Sequence, residues 1–293
     1  MELQQIYKEG TEKLQAAGIE DYALDAWLLL EYVSGIRREK ALAAPDMEVS
    51  EEDVKAYRAV LSQREKRIPL QHLIGEQRFM GLSFLVNEEV LIPRQDTENL
   101  VVSALFLCKE HDRILDLCTG SGCILLSVLC LAEVPLLGTG SDISEKALAV
   151  AEENARRLGV SAQFIQSDLF RSLTGTYDLI LCNPPYIPTD VIDTLSDEVR
   201  FHDPRIALDG GEDGLTFYRK IAKEAPAYMA DGAHLILEIG SDEAADVSAI
   251  VKAAGFTDLT VQKDLSGLDR LIIAMYNNRS EMAENTAGRN RNV

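Results

Sequence analysis

At 293 residues the chain is long for one compact domain and comfortable for two, and with 46% hydrophobic and 26% charged residues it has the balance of a globular protein, not a disordered one. No stretch reaches the roughly 20 apolar residues of a membrane-spanning helix, so no membrane partner is expected. The net charge of -19 disfavours a nucleic-acid partner, because phosphate contacts call for a local basic patch.

The basic groups Arg37-Arg38, Arg64 to Arg67 with Arg78, and Arg289 with Arg291 make no sustained stripe. They read as solvated helix faces and a tail, and no direct nucleic-acid binding is expected. The opening MELQQIYKEG lacks the basic-then-apolar pattern of a secretory signal. Five cysteines, without a C-x-x-C pair, read as reduced thiols of a cytoplasmic protein, and four scattered histidines predict no metal site.

Taken in chain order, residues 1–70 carry helical spacing through Ile6, Leu14, Leu24, Trp27-Leu28, Val54, Tyr57 and Val60-Leu61. Pro45-Asp46 breaks the pattern, and Ser50-Glu51-Glu52-Asp53 predicts a capped helix start. The segment 71–92 switches to short alternating runs, Gln71–Gly75, Gln77–Met80 and Leu82–Val86, with Gly81 as the turn of a linking β-hairpin.

From 93 to 276 helix and strand alternate. The predicted elements are helix Glu98–Lys109, strand Arg113–Leu117, helix Cys123–Ala132, strand Leu136–Ser141, helix Glu145–Leu158 and strands Gln163–Gln166 and Tyr177–Cys182. After a long loop come helix Leu215–Met229, strand His234–Ile239, helix Ala244–Ala254 and strands Leu259–Lys263 and Arg270–Met275. Such alternation implies an α/β domain with a mostly parallel sheet, closed by an antiparallel hairpin. Residues 277–293, polar and rich in Asn and Arg, are expected to be a disordered tail.

Two motifs carry chemistry. Asp116-Leu117-Cys118-Thr119-Gly120-Ser121-Gly122 follows the first strand of this domain and opens a helix, where free backbone N–H groups and small residues admit a ligand. Asp142 ends the next strand, the place of a ribose-hydroxyl acceptor. The third glycine of a dinucleotide fingerprint is absent, and the spacing alone suits either NAD or S-adenosylmethionine. Asp168 and Leu169, after the third strand, are candidates for the adenine end of the cofactor.

The second motif, Asn183-Pro184-Pro185-Tyr186, follows the fourth strand, beside the point where ligands bind in open α/β sheets. Its residue types suit a planar nitrogen whose lone pair is delocalised and therefore attacks a methyl group poorly. Asn183 offers a side-chain oxygen and Pro184 a backbone carbonyl to accept both N–H bonds, which favours pyramidalisation. Pro184 and Pro185 stiffen the turn and add no donor, and Tyr186 can lay its ring on the planar group. His202 and the loop Asp209–Gly214 read as loop architecture, since a methylated amide nitrogen loses its proton to water.

With these motifs the chain resembles the HemK/PrmC-type peptide chain release factor glutamine N5-methyltransferases, from the helical segment to about Met275. Ile92-Pro93-Arg94-Gln95-Asp96-Thr97-Glu98, Asp116–Gly122, Asn183–Tyr186 and Asp203–Gly211 running on to Tyr218-Arg219 carry the resemblance. It implies a Rossmann-like methyltransferase domain with a seven-stranded sheet, S-adenosylmethionine as cofactor, and release factors as partners docked by the helical domain. The acceptor implied is the glutamine of their Gly-Gly-Gln motif. Base amino groups of DNA or RNA and a ribosomal-protein glutamine are the alternatives. The chain departs from the family pattern at Gln95-Asp96, where Pro-Glu is usual. It departs again at Cys118, where many members have glycine, and at Leu169, where some have an aromatic.

Overall fold

The structure is a computed structural model that describes residues 1–277. The expected tail, apart from Asn277, lies outside the described residues. Along the chain run α1 (Leu3–Ala16), α2 (Tyr22–Ser34), α3 (Arg38–Ala43), α4 (Glu51–Arg64) and α5 (Leu70–Ile74), then the strands β1 (Glu76–Phe79) and β2 (Leu82–Leu85). A 3-10 turn, Gln95–Thr97, leads into α6 (Glu98–Leu107), β3 (Arg113–Leu117), α7 (Cys123–Leu131), β4 (Leu137–Asp142), α8 (Glu145–Leu158), β5 (Gln163–Gln166) and β6 (Tyr177–Cys182). Beyond β6 come β7 (Ile187–Pro188), α9 (Asp197–His202), β8 (Asp209–Gly211) and α10 (Thr216–Glu224). The chain closes with β9 (Met229–Glu238), α11 (Ala244–Ala253), β10 (Thr257–Lys263) and β11 (Asp269–Met275).

The described chain divides into two compact units. The first holds Met1–Glu76 together with Val86–Glu88 and Leu195–His202. Its helices bury one face each around Ile6, Leu14, Leu29, Leu30, Tyr57 and Leu61. α4 starts where the sequence predicts, with the Ser50 hydroxyl oxygen accepting the Asp53 N–H at 3.0 Å. Arg64 is not the solvated cation expected of it: it is 4% exposed, donates to Asp25 at 2.7 Å and reaches Glu198 of α9 at 2.7 Å. A buried guanidinium persists only when such partners offset its desolvation.

One further expectation in this stretch is corrected. Gln71–Gly75 is not an extended run but most of α5, a one-turn helix between the extended Pro69 and Gly75, whose φ of 78° ends it. Five residues are too few for periodicity to separate a strand from a helical turn, and the left-handed glycine decides.

The second unit holds Gln77–Leu85, Glu89–Thr194 and, among the described residues, the chain from Asp203 onward. Strands β1 and β2 join through Met80 and Gly81, both with positive φ (51° and 76°), as a two-residue hairpin turn requires. The main sheet has the order β10-β11-β9-β6-β3-β4-β5, and β11 alone runs against its neighbours. The closing antiparallel pair is therefore present, with β11 inserted between β9 and β10.

β6, at the centre of the sheet, is largely apolar on both faces, as a sheet covered on both sides demands. Along β6, Leu179 and Leu181 join the core with α6 and α7, while Ile180 and Cys182 join the core with α10 and α11. The helix expected over Leu215–Met229 stops at Glu224, because Pro226 cannot continue it, and Ala225–Tyr228 tightens into a 3-10 turn. β9 therefore starts at Met229, five residues before the expected strand, and the expected long loop contains the short pair β7–β8.

Candidate active site

The carboxyl ends of β3, β4, β5 and β6 surround a cavity of about 360 Å³ in the second unit. It opens where β3 and β6 lie side by side and their following loops diverge, the place where a parallel sheet leaves a crevice. Cys118, Thr119, Gly120, Ser121, Asp142, Asp168, Leu169, Asn183 and Pro185 line it. Gly122, Pro184 and Tyr186 do not line it.

The loop after β3 is folded by its own backbone. Cys118, Gly120 and Gly122 all take positive φ (56°, 54° and 77°), so the chain coils tightly before α7. A side chain on Gly122 would press Leu126 at 3.0 Å and Ala151 at 3.2 Å, whereas one on Gly120 would meet only open space. Asp142 fixes this loop from β4: its Oδ2 accepts the Gly120 N–H and its Oδ1 the Ser144 N–H, both at 2.9 Å. Burial raises its pKa, and these N–H bonds oppose the rise.

Asp116, beneath the loop and fully buried, accepts the Thr119 hydroxyl at 2.5 Å, and burial pushes it up to about 7. From the other side Asn154 of α8 donates to the Ser121 carbonyl at 2.9 Å. It also pairs with both backbone groups of Leu85, accepting the N–H at 2.7 Å and donating to the carbonyl at 3.1 Å. One buried amide thus ties helix, cofactor-type loop and hairpin together. Leu169 enters with a φ of 50° and a buried side chain, and Asp168 beside it is exposed.

Asn183 stands half-buried at the end of β6, and its Nδ2 donates to the Thr97 hydroxyl oxygen at 3.4 Å. The ring of Tyr186 packs against the sheet core. This differs from the expected stacking in the cavity: the turn is held close from behind, where a side chain on Gly210 would come within 2.7 Å of the Tyr186 Cα. β8 supplies that glycine and pairs with β7 just after the tetrapeptide, so the Asp203–Gly211 stretch buttresses the turn. Arg94 lines the cavity and is held by an ion pair with Asp203 at 2.5 Å.

Sequence reasoning missed Thr97, Asn154 and Glu238. Glu238 ends the apolar strand β9, is 2% exposed, and is pushed up to about 7 by burial.

A mostly parallel seven-stranded sheet with a coiled glycine loop, an acid ending the next strand and a ligand-sized crevice defines a Rossmann-like methyltransferase domain. Residues 96–199 match the family described as Methyltransferase small domain, and residues 5–75 match the PrmC N-terminal domain. A methyltransferase crystal structure from Pyrococcus furiosus shares the fold, with a TM-score of 0.54 and 17% identity, covering 74% of this chain and 100% of that one. The release factor glutamine methyltransferase of Caulobacter vibrioides is 42% identical over 272 residues, 91% of this chain and 93% of that protein. Its namesake from Bacillus subtilis is 36% identical over 278 residues, 92% of this chain and 96% of that protein. The chain belongs to the release factor glutamine methyltransferase family.

Proposed function

We propose that the chain transfers a methyl group from S-adenosylmethionine to the side-chain amide nitrogen, N5, of the glutamine in the Gly-Gly-Gln motif of peptide chain release factors. The observation that carries this reading is that Asn183 and the glycine loop with Asp142 face one and the same crevice.

The crevice fits that cofactor. Gly120 leaves open the space its side chain would fill, and Asp142 keeps lone pairs free to accept ribose hydroxyls beyond the two N–H bonds it holds. In this reading Cys118 to Ser121, Asp142, Asp168 and Leu169 hold the cofactor, whose sulfonium supplies an electrophilic methyl. Asn183 and the Pro184 carbonyl accept the two amide N–H bonds of the glutamine, and Pro185 walls the crevice. Tyr186 keeps the turn in place from below. The helical first unit docks the release factor. All five cysteines are free thiols, which accords with work in the reducing cytoplasm, and among the described residues no helix is long and apolar enough to cross a membrane.

Incubation with purified release factor and labelled cofactor, followed by mapping of the modified residue by mass spectrometry, tests the proposal. The label is expected on the glutamine amide. Asn183→Ala is expected to lower kcat at least about 100-fold, the usual loss of one preorganised acceptor or donor, with cofactor binding retained by calorimetry. Label on rRNA, DNA or a ribosomal protein instead of the release factor overturns it.

A further inference from the structure

We propose that Glu238 is a positioning residue that, through Thr97, sets which way the Asn183 amide faces. The inference rests on the reading of Asn183 as the group that accepts the substrate's N–H bonds.

Glu238 sits at the end of β9, one position beyond the pairing of Leu237 with Cys182, and so lies beside Asn183. It is 2% exposed and Thr97 is 3% exposed. The hydroxyls of Thr97 and Tyr186 lie beside its carboxyl group and favour its charged form, while Oε2 finds no donor among the described residues. A buried acid that is only partly satisfied costs stability, so its retention calls for a use.

The use follows from donor and acceptor arithmetic. An ionised carboxylate only accepts, so the single Thr97 hydroxyl proton is committed to it. The Thr97 oxygen is then left to accept, and the Asn183 Nδ2 is the group that donates to it. An asparagine anchored through its nitrogen turns its oxygen to the other side of the amide, as an acceptor for substrate. Nothing local distinguishes the two ends of an Asn amide; the polarity comes from the carboxylate. A glutamine at 238 would donate as well as accept and would leave the direction undetermined.

The groups facing Glu238 come from several elements: Arg270 of β11, Asp96 before α6, Tyr186 after β6 and Cys123 of α7. Arg270 favours the charged form, Asp96 and burial oppose it, and the balance puts the group at about 7. Below that pH the protonated acid can donate to Thr97, which reverses the chain of hydrogen bonds and presents the Asn183 nitrogen to the substrate.

The test compares Glu238→Gln, Thr97→Ser and Thr97→Val in the full chain, with release factor as methyl acceptor. For Glu238→Gln, thermal melting and cofactor Kd are expected to show a folded protein that binds within about twofold of wild type. Its kcat is expected to fall about 10- to 100-fold, and the acid limb near pH 7 expected for wild type is to vanish. Thr97→Ser keeps the hydroxyl and is expected to stay within about threefold of wild type, whereas Thr97→Val falls as Glu238→Gln does. Because both act on one chain of bonds, the double variant Thr97→Val with Glu238→Gln falls no further than either single variant.

Wild-type kcat and an unchanged pH profile in Glu238→Gln overturn the proposal, and so does a double variant whose losses multiply. If Glu238→Gln does not fold, the contrast between Thr97→Ser and Thr97→Val decides: equal activities overturn the proposal, and a Ser-only rescue supports it. A fully active Asn183→Ala sinks the underlying reading of Asn183. An inactive Asn183→Ala beside an unaffected Glu238→Gln sinks only the relay.

Discussion

Gly120 and Gly122 share a conformation but not a reason for being glycine. At Gly122 the space is already taken by Leu126 and Ala151, so Gly122→Ala combines a left-handed non-glycine backbone with a tight contact. It is expected to cost about 2 kcal/mol of stability, read as a shift of the denaturant midpoint. At Gly120 there is room, so Gly120→Ala is expected to cost only about 1 kcal/mol in stability. Its methyl group enters the crevice, and calorimetry is expected to show cofactor affinity weakened about tenfold or more. Equal binding by the two variants would remove the cofactor from this loop. The loop and the Asn183 tetrapeptide were legible in the sequence because each is a contiguous run whose chemistry is local. Thr97 and Glu238 were not: each is an ordinary residue type, and only tertiary packing brings them to Asn183, Glu238 through the adjacency of β9 and β6 and Thr97 from the turn before α6.

The elements themselves show the same division. Long amphipathic or largely apolar runs such as α8 and β6 match their expected bounds, since Ser144 caps α8, Gly159 ends it, and β6 is buried on both faces. Short or interrupted runs did not, as α5 and the proline-broken end of α10 show. Between elements, Asn154 is the strongest single link to the site, because its one amide satisfies backbone groups of both the hairpin and the glycine loop. Asn154→Ala leaves the Leu85 N–H and the Leu85 and Ser121 carbonyls without that partner. It is expected to cost about 3 kcal/mol, measured by chemical denaturation, since each stranded buried group carries a penalty of about 1–3 kcal/mol. Hydrogen exchange at the Leu85 amide is expected to speed up more than exchange in β6; equal protection in both would remove the brace.

For the whole molecule, buried acids and net charge combine into a pH dependence. Asp116 and Glu238 rise from ordinary carboxylate values of 3.8 and 4.5 to about 7 in the folded protein. Between those limits the folded chain binds protons that the unfolded chain does not, so stability falls as pH rises through about 7. The opposite holds for Glu153 and Asp213, which arginine partners lower to about 2, so their support is lost as pH falls below about 4. Tm is therefore expected to peak near pH 4 to 5 and to decline as pH rises to about 7, where the charge of -19 adds self-repulsion. Glu238→Gln is expected to flatten the decline between about pH 5 and 7, and a Tm that climbs from pH 5 to 7 would contradict the burial of both acids. The sequence by itself determined the α/β alternation, the helical first segment, the glycine loop with Asp142 and the Asn183 turn, because periodicity, capping and turn chemistry are written in neighbouring residues. Tertiary structure alone decided that β11 slips between β9 and β10, that Leu195–His202 belongs with the first unit, and that Tyr186 faces the core. It also decided that Thr97 and Glu238 stand behind Asn183. These depend on which distant strands become neighbours, and that is set by packing the whole sheet.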